Sequence, residues 1–165
     1  MKKLFIIALI LTFAARAMAQ QELAFPFQGG KQIMMQYFKD NVTIPAELVK
    51  QKANGVAVFK FTADQQGNIQ KIIVYYADDV SLTPPIIEAL KKSAHKWVIP
   101  DKEKVHDFIL PFTIKFNPPA METVALDKST YTYYSKRQPV MAFNQIPIDM
   151  ATLLPAVVIN YDLNP

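Results

Sequence analysis

Two histidines, His95 and His106, are the side chains of this chain best suited to acid–base or metal chemistry. Ser93, His95 and Asp101 also supply the residue types of a nucleophile, a base and an acid. No nucleophile-elbow motif or glycine-rich oxyanion loop accompanies them. Neither histidine has a cysteine or an acidic pair at ligand spacing. We therefore predict no catalytic residue, no metal site and no cofactor.

Adjacent carboxylates at Asp78 and Asp79 are the other arrangement suited to chemistry. Calcium loops and glycoside hydrolases both use acidic residues, and each requires a defined spacing between them. The loop around this pair lacks that spacing. We expect the two side chains to close a turn or cap a helix, and no reaction centre is predicted.

The composition is that of a folded protein. Of the 165 residues, 51% are hydrophobic and 12% are aromatic, which excludes a largely disordered chain. This length predicts one domain with room for a tail. The absence of cysteine excludes disulfides and thiolate metal sites.

The N-terminus has the features of an export signal. Lys2 and Lys3 precede the apolar span Leu4–Ala15, and residues 17–19, Ala-Met-Ala, fit the small-x-small rule of signal peptidase. A membrane helix needs about 20 apolar residues, and an anchor extended to residue 18 would bury Arg16. We therefore predict cleavage after residue 19 and an exported protein with no stable membrane anchor.

Cleavage would also change the charge. The whole chain has 18 basic and 14 acidic residues. Lys2, Lys3 and Arg16 lie in the signal, so the mature chain keeps 15 basic residues and its net charge falls from +4 to near +1. This balance does not favour binding to nucleic acid or to an anionic membrane surface.

Two helices are predicted before the first strand. The apolar residues of the segment 31–40 share one helical face: Ile33, Met34, Tyr37 and Phe38. Pro45 opens a second helix over 45–52, where its missing N–H is not needed. Gly55 then ends that helix, because glycine tolerates the positive φ of a C-cap.

A hairpin follows. Alternating side chains over 56–63 and the apolar run 69–76 predict two strands, joined by a loop in which Gly67 adopts a left-handed conformation. The second strand is apolar on both faces, so we expect a helix on one side and the C-terminal extension on part of the other.

A helix and a third strand complete the predicted domain. The helix runs from Pro84 to Trp97 along an apolar stripe that makes Trp97 a core residue. Strict alternation from Phe108 to Phe116 is the strongest strand pattern in the chain. Pro111 removes a main-chain donor, which predicts an edge strand or a bulge.

The C-terminal extension is rich in Tyr, Val, Ile and Pro, and we expect much of it to pack on the core. Residues 130–134 and 157–161 are strand-like. The tyrosines at 131, 133 and 134 leave two interpretations open, because aromatic side chains favour both strands and interfaces.

In this order the motifs resemble the C-terminal domain of TonB-type energy transducers, in the form common in Gram-negative Bacteroidetes. The carrying residues span about 26–117: Gly29-Gly30, Asn41 to Pro45, Gly55 to Val58 with Phe61, Asp64 with Gly67, Lys96-Trp97 with Pro100, and Leu110 to Phe112 with Phe116. The resemblance implies an α+β fold, a small antiparallel sheet with two helices in the order helix-helix-β-β-α-β, plus a C-terminal extension.

The resemblance also implies a location and a partner. Members of the family act in the periplasm and bind a short extended segment of an outer-membrane transporter, the TonB box, at an edge of the sheet. Main-chain hydrogen bonds supply the affinity of such pairing, and alternate side chains supply the selectivity. By this likeness the partner-binding residues lie on the outward face of the last domain strand: Ile109, Pro111, Thr113 and Lys115.

The chain also departs from the transducers. Its signal is predicted to be cleaved, no Pro-rich spacer follows, and the extension 118–165 has no counterpart in them. We therefore divide the chain into a signal peptide (1–19), a leader (20–27), a domain (28–117) and the extension. We expect a non-catalytic periplasmic module that binds a peptide or protein by edge-strand pairing, linked to TonB-dependent transport. The alternative is a structural or dimerising protein whose tail occupies the edge.

Overall fold

The structure is a computed structural model, and it describes residues 25–118, 128–142 and 150–162. Over these ranges the chain is a mixed α+β fold with a single sheet of six strands, which confirms the predicted α+β class. The predicted signal peptide and residues 20–24 of the leader lie outside the described residues. Within the described ranges no helix is both long enough and apolar enough to cross a membrane.

The elements follow one another as two helices, a hairpin, a helix, a long strand and a helix-containing tail. The helices are α1 (Gly30–Asn41), α2 (Ala46–Lys50), α3 (Thr83–Lys92, entered through the 3₁₀ turn Val80–Leu82) and α4 (Lys128–Ser135). The strands are β1 (Gly55–Asp64), β2 (Ile69–Ala77), β3 (Val105–Phe116), β4 (Val140–Met141), β5 (Thr152–Leu153) and β6 (Val157–Tyr161).

The sheet has the order β4-β2-β1-β3-β5, and β6 follows β5 along the same side of β3. The β1–β2, β1–β3 and β2–β4 pairs are antiparallel, whereas β5 and β6 run parallel to β3. The small antiparallel sheet expected for residues 28–117 is present as β1, β2 and β3, and the extension adds strands that run parallel to β3. Parallel pairing needs a long crossover, and the segment between β3 and β5 supplies one.

The core lies between one face of this sheet and the helices. The alternation predicted for β3 is confirmed, since Phe108, Leu110, Phe112 and Ile114 are no more than 1% exposed. Buried residues on the helices complete this layer: Met34 and Phe38 of α1, and Ile86, Ala89 and Leu90 of α3. Burial of a large apolar side chain contributes about 1.5–3 kcal/mol, so this layer is the main source of stability.

The boundary between α2 and β1 differs from the prediction. Pro45 is extended, with ψ of 145°, and precedes the helix rather than starting it. Lys52, not Gly55, takes the left-handed conformation, with φ of 50°. Gly55 opens β1 instead, where an added Cβ would lie 2.6 Å from Leu82 Cδ1. The glycine therefore serves close packing and not a helix C-cap.

The helix predicted to reach Trp97 ends earlier, at Lys92. Ser93 Oγ donates to the Leu90 carbonyl at 2.6 Å and accepts from Trp97 Nε1 at 2.9 Å, while His95 takes a φ of 67°. Trp97 is core, as predicted, but it reaches the core from the segment after the helix. There it bridges to Phe27 of the leader.

Two further predictions need correction. Ile33 is 54% exposed, because α1 turns Met34 and Phe38 toward the sheet. Residues 130–134 form part of α4 and not a strand. In that helix Tyr131 points outward at 66% exposure while Tyr133 is buried at 7%, a separation that a strand would not produce for residues i and i+2.

Candidate functional site

The four residues predicted to bind a partner lie together on the outer face of β3, the face opposite the helices. Ile109, Pro111 and Thr113 are half-buried there, and Lys115 is exposed. The alternation along β3 turns these four side chains away from the core.

The main chain beside those residues is already paired. Phe108 and Ile109 pair with β5, and the residues from Phe112 to Phe116 pair with β6. The N–H of Leu154 donates to the Ile109 carbonyl at 2.8 Å, and the N–H of Asn117 donates to the Tyr161 carbonyl at the same distance. An incoming strand would have to displace the chain's own tail to pair with β3.

That tail is held by core contacts as well as by the ladder. Leu154, Val157 and Ile159 are each no more than 3% exposed. The Tyr161 hydroxyl donates to the carbonyls of Ala53, at 2.8 Å, and Leu48, at 3.2 Å. Burial raises the pKa of the Tyr161 phenol well above its ordinary value. These contacts make β6 a component of the domain.

Pro111 fits the ladder because β5 and β6 are interrupted opposite it. Main-chain groups two residues apart in a strand point to the same side, and the Ile109 carbonyl points toward β5. The nitrogen of Pro111 therefore also points toward β5 and β6. Residues 154–156, which include Pro155, separate the two strands at that level. The prediction of an edge strand or a bulge is wrong, because β3 is paired on both sides and its register with β1 has no shift. The missing donor of Pro111 is accommodated instead by a break in the neighbouring strand.

Glu103, His106 and Thr152 form a hydrogen-bonded chain near the start of β3. His106 Nδ1 lies 2.6 Å from Glu103 Oε2, and His106 Nε2 lies 2.7 Å from Thr152 Oγ1. The residue types follow the acid–base–hydroxyl order of hydrolases, but the imidazole is 9% exposed and packs against the Phe108 ring. The observed contacts tie β5 to β3.

The opposite side of the sheet is different. β4 pairs only with Tyr76 and Ala77 of β2, and one more bond joins the Ala142 N–H to the Tyr75 carbonyl at 3.0 Å. Among the residues that the structure describes, no strand pairs with the outer side of Ile69–Val74. Over the described ranges, this part of β2 is therefore an edge of the sheet.

Alternation along the paired strands shows which main-chain groups of β2 point outward. The main-chain carbonyl of Ile109 points toward β5, so Lys60, its partner in β1, points its main-chain groups away from β3 and toward β2. Ile73, the partner of Lys60 in β2, therefore points its main-chain groups toward β1. Ile72 and Val74 therefore direct their N–H and C=O groups away from the sheet. These are the groups that a further strand would use.

A groove of about 500 Å³ lies beside this edge, between β2 and α3. Three half-buried isoleucines contribute to its apolar surface, and its other lining residues are mostly polar or basic. The lining residues are Asn68, Ile69, Gln70, Lys71, Ile72, Ile87, Lys91 and Ala94. We call Ile69–Val74 with this groove the β2 edge site.

The other side chains considered for chemistry have structural partners. Asp78 accepts from the Val56 N–H at 2.8 Å, and Asp79 accepts from the N–H groups of Ser81 and Gln138. The predicted capping role is confirmed for Asp79, which caps the 3₁₀ turn, whereas Asp78 links the end of β2 to the start of β1. No group of three or more metal-ligating side chains occurs in the described part of the chain.

Comparisons of the chain with protein-family models, with curated proteins and with solved structures gave no match in any of the three. The residues of the β2 edge site were not predicted from the sequence. The one signal was that β2 is apolar on both faces, which indicated a second covering element but not an open edge.

Proposed function

We propose that the chain is an exported, non-catalytic periplasmic module of TonB C-terminal type that binds an extended segment of a protein partner by edge-strand pairing. In this proposal the partner adds to the β2 edge site, and a segment of an outer-membrane transporter is the candidate partner. The single observation that carries it is that β3 is paired with the tail while Ile69–Val74 is unpaired among the described residues.

The element order supports the proposal. From α1 to β3 the chain runs helix-helix-β-β-α-β, the order that the resemblance implies. The surface at β2 supports it too. Ile72 and Val74 offer outward main-chain groups next to a partly apolar groove, which is the combination used in strand addition.

The test compares two substitutions at one position. Ile72→Pro removes the outward N–H while leaving the bonds to β1, as proline is tolerated on an edge strand. Ile72→Ala removes a similar amount of side chain but keeps that N–H. The probe is the peptide acetyl-Thr-Val-Thr-Val-Thr-Val-Thr-amide, and its binding is measured by isothermal titration calorimetry with the mature protein.

We expect the wild type and Ile72→Ala to bind the peptide and Ile72→Pro to lose binding, with circular dichroism showing that both variants are folded. Equal affinity in the two variants, or no binding by the wild type at millimolar peptide, would rule out strand pairing at β2.

A second candidate is a structural or dimerising protein without a peptide ligand. The observation that favours it is the occupation of the β3 edge by β5 and β6. Deletion of residues 118–165 would expose that edge and the core residues beneath it, so we expect the truncated chain to self-associate in sedimentation velocity. A monomeric and equally stable truncation would contradict this candidate.

A further inference from the structure

We infer that the segment bound at the β2 edge site is acidic and amphipathic, with branched apolar side chains on the face that meets the groove and carboxylates on the other face. This inference rests on the proposed function, because it specifies the ligand of that site. It follows from the two faces of the site, which differ in polarity and charge.

The groove face is apolar. Ile72 lies on the helix side of β2, opposite Phe61, and Ile87 approaches it from α3. A strand added to β2 continues the pleat, so its side chains at the level of Ile72 would lie under α3. Branched apolar side chains would bury surface there at about 25 cal/mol per Å².

The other face carries a free positive charge. Lys71 lies on the outer face, opposite Thr62, and is exposed. Among the described residues no acidic side chain forms an ion pair with it. A side chain of an added strand directly across from Lys71 would lie about 4.5–5.5 Å away between Cβ atoms, a position that favours a carboxylate.

A second lysine stands at the groove rim. Lys91 pairs with Glu88 at 3.0 Å, one turn away on α3, and the two side chains are 61% and 62% exposed. Exposed pairs of this kind contribute little to stability, and Lys91 lies on the groove side, so the carboxylates of the bound segment are assigned to Lys71 alone. Asp64, at the loop end of the site, accepts bonds from Gln66, Asn68 and Gln70, which hold its side chain within the hairpin loop.

Two other occupants compete with this assignment. A second copy paired antiparallel through β2 would bring two Lys71 side chains near one another, which disfavours it. The second competing occupant is the chain's own segment 143–149, which follows β4 in sequence. The peptide titration distinguishes both from an acidic partner.

The experiment uses three peptides with valine at alternate positions and Glu, Gln or Lys between them, titrated by calorimetry into the mature protein at low salt. We expect the Glu peptide to bind about three- to tenfold more tightly than the Gln peptide, and the Lys peptide to bind most weakly. The preference should shrink at high salt. Lys71→Glu should reverse the order, whereas Lys102→Glu, in the turn before β3, should preserve it.

Each other result decides against the inference. Equal binding of the three peptides would overturn the acidic preference and leave the proposed function standing. No binding by any of them would overturn both. Binding only after residues 143–149 are replaced by a Gly-Ser linker would assign the site to that segment. Dimerisation that is abolished by Ile72→Pro would assign it to a second copy.

Discussion

The main-chain carbonyl of Ile109 accepts a hydrogen bond from the N–H of Leu154, with 2.8 Å between the two atoms. This bond joins the strand predicted to receive a partner to the chain's own extension. It lies at the end of the parallel pairing with β5, and the parallel pairing with β6 follows from Val157 to Tyr161. The extension thereby completes the sheet on one side, and among the described residues the unpaired side is that of Ile69–Val74 in β2.

Replacement of Ile159 by alanine tests whether β6 is part of the core. Ile159 is 3% exposed and pairs with Ile114, so its loss leaves a cavity that we expect to cost about 2–5 kcal/mol in the free energy of unfolding. Asn160→Ala, on the exposed outer face, is the matched control and should change stability by less than about 0.5 kcal/mol. Urea unfolding measures both, and equal small effects would show that β6 does not stabilise the domain.

Tyr161 predicts a loss of stability at alkaline pH. Burial raises the pKa of the Tyr161 phenol in the folded protein. The protonated phenol therefore contributes its full stability below the ordinary phenol pKa of about 10, and this contribution is lost as the pH rises above that value. We expect Tyr161→Phe to be less stable than the wild type by about 1–3 kcal/mol at neutral pH, since the Ala53 and Leu48 carbonyls lose a donor. The difference should narrow above pH 10. Tyr131→Phe, at an exposed position, should match the wild type throughout.

The environment of Asp107 leads us to expect a loss of stability at acid pH. Desolvation raises its pKa, but hydrogen bonds from Lys60 Nζ, at 2.8 Å, and Thr62 Oγ1, at 2.5 Å, outweigh that effect and hold the pKa below 3.8. Its contribution to stability is therefore present above the ordinary pKa of about 4 and is lost as pH falls through the lower folded value.

We therefore expect Asp107→Asn to be less stable than the wild type at pH 7 and the gap between them to close below pH 4. Asp101→Asn, in the exposed turn before β3, should retain the acid dependence of the wild type. Thermal unfolding across this pH range measures all three proteins. A gap that stays constant down to pH 2 would contradict the role of Asp107.

The Thr152–His106 bond predicts a local effect. Thr152→Val keeps the shape of the side chain but removes the hydroxyl at 2.7 Å from His106 Nε2. A net loss of about 1 kcal/mol would speed amide hydrogen exchange of Leu154 about fivefold. Thr113→Val, on the outer face of β3, is the control. Unchanged exchange at Leu154 would show that this bond does not hold β5.

The sequence predicted those elements whose patterns are local. The alternation of β3 and the hairpin loop with Gly67 are determined by neighbours along the chain, and both agree with the structure. The C-terminal end of α3 could not be predicted from the pattern, because Trp97 continues the apolar stripe of the helix. Periodicity cannot distinguish a longer helix from a chain that turns back at Ser93 and His95.

Contacts between distant residues account for the remaining differences. The aromatic residues at 131, 133 and 134 favour a strand by propensity, but packing of Thr130 and Tyr133 on one face makes the segment a helix. The side of the sheet that is open depends on whether the tail reaches β3. No local pattern in β3 or β2 contains that information.

Backbone amide hydrogen exchange of the mature protein, measured with and without the Thr-Val peptide at a saturating concentration, identifies the strand that receives a partner. We predict that the peptide slows exchange at Ile72 and Val74, whose N–H groups point outward from β2, and leaves Thr113 and Lys115 unchanged because β6 already protects them. Protection that appears at Thr113 and Lys115 instead, or at neither strand, would contradict the account.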